Sequence, residues 1–150
     1  MIKGVTFLIP QATTDMLRQI LENINVEGYF WRNIVEQDEV WNASGERYLD
    51  EESYDGKAFK ELIQQDHYII FIKLQAYFAE GDYDNISYYE DFVLSDCQIV
   101  VLIFDNINVH IYTKDEGVAK SLYENAVQRF EEVEYLTDTY DTRTGFDILS

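Results

Sequence analysis

Cys97-Gln98-Ile99-Val100-Val101-Leu102-Ile103-Phe104-Asp105-Asn106-Ile107-Asn108-Val109-His110-Ile111-Tyr112-Thr113 decides the fold. Residues 97–104 are apolar at odd and even positions alike, the pattern of a central strand covered on both sides. Asp105-Asn106 supplies turn chemistry. Beyond the turn, Val109, Ile111 and Thr113 alternate with Asn108, His110 and Tyr112. The stretch therefore predicts a β-hairpin at the centre of a sheet.

Upstream, His67–Phe78 predicts another strand, with Ile70, Ile72, Leu74, Ala76 and Phe78 on one face and Lys73, Gln75 and Tyr77 opposite. Val5, Phe7 and Ile9 alternate in a first strand that Pro10 stops. Three segments carry helical stripes. Met16, Leu17, Ile20, Leu21 and Ile24 follow Thr13 or Thr14 as N-cap, with Asp15 near the positive end of the dipole. Ala58, Phe59, Leu62 and Ile63 follow Asp55 as cap, and Val118, Ala119, Leu122, Tyr123, Ala126, Val127 and Phe130 mark a helix over 115–130.

Aromatic and β-branched residues over 28–42 predict strands, as a hairpin turning near Glu36–Asp38, with a weak strand near Arg47–Leu49. A short helix is expected around Ser87–Leu94, a strand at Val133–Leu136, and an apolar tip at Phe146-Asp147-Ile148-Leu149. Strands that succeed one another without helical crossovers argue for an α+β fold: a mostly antiparallel sheet with about three amphipathic helices packed on it. Residues 1–150 read as one domain, with Phe7, Ile20, Leu21, Leu62, Ile72, Leu74, Val101, Ile103, Leu122 and Val127 in its core.

Eleven Lys and Arg oppose 29 Asp and Glu, a formal net charge of −18. Such a chain repels nucleic acid, whose affinity for proteins comes mainly from Lys and Arg displacing counterions, and anionic membrane surfaces likewise. It attracts basic proteins and speeds their association. The N-terminus begins directly with a strand pattern and lacks the apolar h-region of a signal peptide. No apolar run approaches the roughly 20 residues that span a bilayer, so a cytoplasmic location is expected. Cys97 is the one cysteine, inside an apolar run, and reads as a buried structural thiol.

No motif announces catalysis. There is no G-x-S-x-G, Walker loop or G-x-G-x-x-G. A calcium-loop frame on Glu51–Gly56 places Leu62 where the bidentate glutamate belongs. A frame starting at Asp82 places Ser87 at the turn glycine and Val93 at the glutamate. His67 and His110 lack zinc spacing; His67 is expected to satisfy carbonyls at a helix-to-strand junction. No metal or cofactor is expected.

One segment stands out. Glu80-Gly81-Asp82-Tyr83-Asp84-Asn85-Ile86-Ser87-Tyr88-Tyr89-Glu90-Asp91 combines acidic residues and three tyrosines with no Lys or Arg. Tyrosine supplies contact area at low entropic cost, and carboxylates suit a partner's Arg and Lys. Asp82, Tyr83, Asp84, Tyr88, Tyr89, Glu90 and Asp91 are therefore the candidate binding residues; the bland reading of the same segment is a solvated loop leading into a short helix.

Tyr89-Glu90-Asp91-Phe92, Ser95-Asp96-Cys97, the stretch from Asn108 to Asp115, Leu122-Tyr123-Glu124-Asn125-Ala126 and Val133-Glu134-Tyr135-Leu136-Thr137 resemble a family of small uncharacterised proteins from Gram-positive spore-forming bacteria, a domain of unknown function. The resemblance implies a bacterial cytoplasmic protein and brings no catalytic residues. The leading expectation is a non-enzymatic interaction protein that binds a basic protein partner; an inhibitor or immunity protein against a basic nuclease toxin is one concrete form. The alternatives are a small-molecule binder or enzyme with an unrecognised carboxylate site, and a structural protein of sporulation or stress.

Overall fold

The computed structural model describes residues 1–34, 37–81, 83–138 and 145–146. Its elements run β1 (Ile2–Leu8), α1 (Met16–Ile20), a 3-10 turn (Val26–Gly28), β2 (Phe30–Asn33), β3 (Glu39–Trp41), β4 (Ser53–Tyr54), α2 (Gly56–Ile63), β5 (Tyr68–Tyr77), α3 (Tyr89–Leu94), β6 (Cys97–Phe104), β7 (Asn108–Thr113), α4 (Glu116–Arg129) and β8 (Glu131–Thr137). The strands form one sheet in the order β4-β2-β5-β6-β7-β1-β8, with β3 also on β5. Every pairing is antiparallel. This is the expected α+β architecture. No helix among the described residues is long and apolar enough to cross a membrane.

The β6–β7 hairpin turns through Asp105 and Asn106, whose φ angles of 55° and 53° lie in the left-handed region that Asp and Asn tolerate. In the register Val101 stands beside Ile111 and Val100 beside Tyr112, so from Ile99 onward odd residues of β6 meet one face and even residues the other; a register shift before Ile99 puts Cys97 with the even set. Gly4 of β1 is paired with Tyr112. A Cβ there would stand 1.8 Å from the Ile111 carbonyl oxygen, so only glycine allows this close approach.

One face of the sheet carries the main core: Val5, Phe7, Trp31, Ile72, Leu74, Val101, Ile103 and Ile111, under α1, α2 and α4. The opposite face carries a second apolar cluster of Tyr77, Cys97, Val100, Leu102, Tyr112 and Leu136, roofed by Ile86, Phe92 and Phe146. Phe146 is thus the anchor of the apolar tip, stacked on Tyr112 at 4.5 Å between ring centroids. Residues 147–150 of that tip lie outside the described residues.

Several local expectations are corrected. β2 and β3 do not pair with each other; both lie along the ten-residue β5, β2 against Leu74–Tyr77 and β3 against Tyr68–Phe71. A long central strand offers more hydrogen-bonding edge than either short strand offers the other. Arg47 makes only an isolated bridge with Trp41. β5 is buried on both faces from Ile72 to Tyr77, whereas Ile70 and Phe78 are exposed: Phe78 lies beyond the covered part, and at the other end a register shift puts Ile69, not Ile70, into the main core.

α1 is shorter than its stripe, five residues, and its N-cap is Asp15, whose side chain makes no cap bond to the backbone. Ile24 and Leu62 are half-buried at the core margin. On α4, Val127 is 49% exposed. Asn125 is buried in its stead and donates from Nδ2 to the carbonyls of Gln19 and Ile20 at 2.6 and 3.3 Å. The helix is rotated so that this amide satisfies the end of α1, and rotation carries Val127 outward.

Leu122, fully buried on the same helix, should lose about 2–5 kcal/mol as Leu122→Ala, the range for buried leucines. Val127→Ala should stay within about 0.5 kcal/mol. Urea unfolding of the two variants checks the rotation; equal losses would contradict it.

Candidate functional site

The acidic, tyrosine-rich segment leaves β5 after Tyr77 and returns across the sheet as the roof of the second apolar face. Tyr83 turns back onto the fold: its ring packs on Tyr77 at 4.8 Å, Arg32 lies over it at 5.8 Å, and its hydroxyl is 3.0 Å from Ser53 Oγ. The Asp84 amide donates to the Tyr77 hydroxyl at 3.0 Å, and its carbonyl accepts from Arg32 Nη1 at 3.0 Å. Its carboxylate accepts from the Asp96 amide at 3.3 Å. Ile86 is fully buried, and its carbonyl accepts from Lys73 Nζ.

Asp91 then reaches back to accept from the Ser87 and Tyr88 amides at 3.0 and 2.9 Å. A carboxylate so placed satisfies orphan donors at the start of α3. Tyr89 packs on Tyr112, Phe92 and Phe146, with Lys3 Nζ 4.1 Å from its ring centroid. Lys114 donates to the Ser95 carbonyl and lies 5.2 Å from the Phe92 ring. Four of the chain's cations, Lys3, Arg32, Lys73 and Lys114, therefore hold this one segment to the sheet.

The candidate residues divide accordingly. Tyr83 and Tyr89 are half-buried in packing, and Asp84 and Asp91 accept backbone hydrogen bonds. Tyr88 and Glu90 face solvent, Tyr88 at 56% exposure. Asp82 lies outside the described residues. The fold also exposes residues that sequence reasoning missed. A cleft of about 280 Å³ is lined by Tyr77, Phe78, Ala79, Glu80, Gly81, Asp96 and Gln98. Phe78 at its rim is 66% exposed and stacked on Tyr29 at 5.5 Å. Neither Glu80 nor Asp96 makes an ion pair among the described residues, and no Lys or Arg lines the cleft. Phe78 was hidden from the sequence because it continues the alternation of β5 one step past its cover.

The DUF2691 family profile, described as a protein of unknown function, matches residues 2–147. The chain belongs to this family. It is 34% identical over 151 residues to the uncharacterised protein YncE of Bacillus subtilis (strain 168), covering 97% of this chain and 99% of that protein. No solved structure matches. The family's resemblance read from the residues is therefore shown, and it extends over almost the whole chain.

Among the described residues of this family member, no group of three or more His, Cys, Asp or Glu side chains is placed to hold a metal ion. Cys97 is fully buried, its thiol pushed up to about 12 by desolvation, so it is held as the unreactive thiol. Asp15 is desolvated too, but hydrogen bonds from Arg18, Thr13 and Gln19 outweigh burial and hold its carboxyl down at about 2.

His67 joins elements rather than forming a site. Its Nε2 accepts from the Leu17 amide at 3.1 Å, the bond that the N-terminus of α1 lacks from a cap. Its Nδ1 is 2.8 Å from the Gln65 carbonyl, which makes Nδ1 the protonated nitrogen. Burial lowers its pKa below the ordinary 6.5, against the opposing pull of the Gln65 carbonyl, Asp15 and Asp66. The unfolded chain therefore takes up a proton that the folded chain refuses, and stability falls as pH drops below about 6.5.

Two outcomes follow. Denaturant unfolding should show stability falling as pH drops below about 6.5, by up to about 1.4 kcal/mol per pH unit while the folded imidazole stays neutral, and His67→Gln should flatten that slope. A thiol reagent should label Cys97 only on unfolding; rapid labelling of the native protein would show that the second apolar face is open.

Proposed function

We propose that the chain is a non-enzymatic interaction protein that binds a basic protein partner at the Phe78–Glu80–Asp96 cleft, with the exposed Tyr88 and Glu90 of the same acidic segment as further candidates. One observation carries this reading: an exposed aromatic ring that shares a cleft with two carboxylates and, among the described residues, with no lysine or arginine. A lysine or arginine side chain on such a ring gains a cation–π contact and a charge-assisted hydrogen bond together. The net charge of −18 adds long-range attraction, which draws a basic partner in quickly. Cytoplasmic location belongs to the same reading, in keeping with the single, buried, reduced cysteine.

Phe78 is suited to be an anchor because its stacking on Tyr29 fixes the ring before binding, and little side-chain entropy remains to be lost. Tyr83, by contrast, is committed to Tyr77, Arg32 and Ser53, so its truncation would disturb the roof rather than report on a partner.

Affinity capture from a native lysate, followed by binding measurements on the recovered protein, tests the proposal. The partner should be basic, and its on-rate should fall with salt because attraction is screened beyond about 8–10 Å. Phe78→Ala and the double substitution Glu80→Gln with Asp96→Asn should each weaken binding by more than about 1 kcal/mol, while Asp138→Asn should change mainly the on-rate. An acidic partner, or silence of both cleft variants, would sink the proposal.

A further inference from the structure

The sheet face beneath residues 83–88 is not uniformly apolar. Lys73 and Gln75 are 2% and 1% exposed, and Tyr77 is equally covered. The three alternate along β5 and share one face. Arg32 of β2 is the register partner of Gln75. An ammonium, a guanidinium, a carboxamide and a phenol thus stand together on one floor, all of them donors.

The acceptors come from the strap above. The Ile86 carbonyl takes Lys73 Nζ. The Asp84 carbonyl takes Arg32 Nη1 at 3.0 Å. Gln75 Oε1 accepts from the Tyr77 hydroxyl at 2.8 Å. Gln75 Nε2 is buried and meets no acceptor among the described residues. Buried donors are nearly always satisfied, and an exception calls for a cause.

We propose that this floor is a binding site for a small oxyanion, a carboxylate or a phosphate group, with residues 83–88 as its cover. The carbonyls of Asp84 and Ile86 stand where the anion's oxygens would lie. An oxyanion replaces these neutral acceptors with charged ones, which form stronger, shorter bonds to Arg32 and Lys73, and it supplies the acceptor that Gln75 Nε2 lacks. The surrounding charge of −18 repels anions at long range. The buried Lys73 and the half-buried Arg32 overcome that repulsion locally, where the lowered dielectric strengthens each pair. The site shares Tyr77 with the acidic cleft but takes the opposite charge.

The test titrates the full chain with inorganic phosphate and, separately, with malonate, against chloride at equal ionic strength. Nitrogen-edited NMR follows the Gln75 side-chain amide and the backbone amides of residues 84–88, and thermal unfolding follows stability. Saturable shifts of those amides and a rise in Tm with phosphate, malonate or both are expected, and the one that responds names the oxyanion. Gln75→Leu should abolish the response. Gln75→Glu should abolish it too, yet keep the Tm near the wild-type value, because its own carboxylate occupies the site. Shifts no different from those in chloride would overturn the proposal and leave water as the partner of Gln75. So would a Gln75→Glu variant that unfolds while Gln75→Leu folds.

Discussion

The structure depends on one constraint: β5 and β6 are buried on both faces, so the sheet must be covered twice. Helices α1, α2 and α4 cover one side. The other side presents Val100, Leu102 and Tyr112 without a long helix to meet them. Left open, that surface would be a contiguous apolar patch of the kind that drives association. The chain closes it with the 83–96 segment and with Phe146. The tyrosines that make the segment conspicuous in the sequence serve first as the material of this roof.

The roof also organises the charge. An acidic segment has no electrostatic reason to lie on its own acidic protein, and cations attach it. Arg32 and Lys73 take the carbonyls of Asp84 and Ile86, Lys114 that of Ser95, and Lys3 lies over Tyr89. These bonds use the segment's main chain and rings, so Glu80, Glu90 and Asp96 remain directed to solvent. The molecule therefore has an acidic exterior and a cationic, donor-rich layer beneath it. A basic macromolecule fits the exterior; a small anion fits the layer below.

The same economy of polar groups holds elsewhere. His67 stands in for the cap that α1 lacks, and Asn125 closes the other end of that helix. A helix of five residues is too short to persist by itself; α1 exists because an imidazole from the loop before β5 and a helix-borne amide complete its hydrogen bonds while Met16, Leu17 and Ile20 fill the core.

Periodicity made much of this legible. The two-faced apolar run of β6, the Asp105-Asn106 turn, the cap Asp55, the antiparallel sheet and most of the core follow from residues adjacent in sequence. The acidic segment was legible as unusual, though not as a roof, and the exposure of Phe78 and Val127 was not legible at all. Alternation and helical stripes record which side chains share a face, but not where a neighbouring element stops covering it. That boundary depends on β2 choosing β5 over β3, on the rotation of α4, and on Phe146 returning from the far end of the chain to Tyr112. Local sequence determined the elements and the sign of the charge. Only long-range packing decided which tyrosines were consumed, which carboxylates were left outside, and which cations were buried beneath them, because each contact joins residues that are distant in the chain and costs nothing visible in either segment alone.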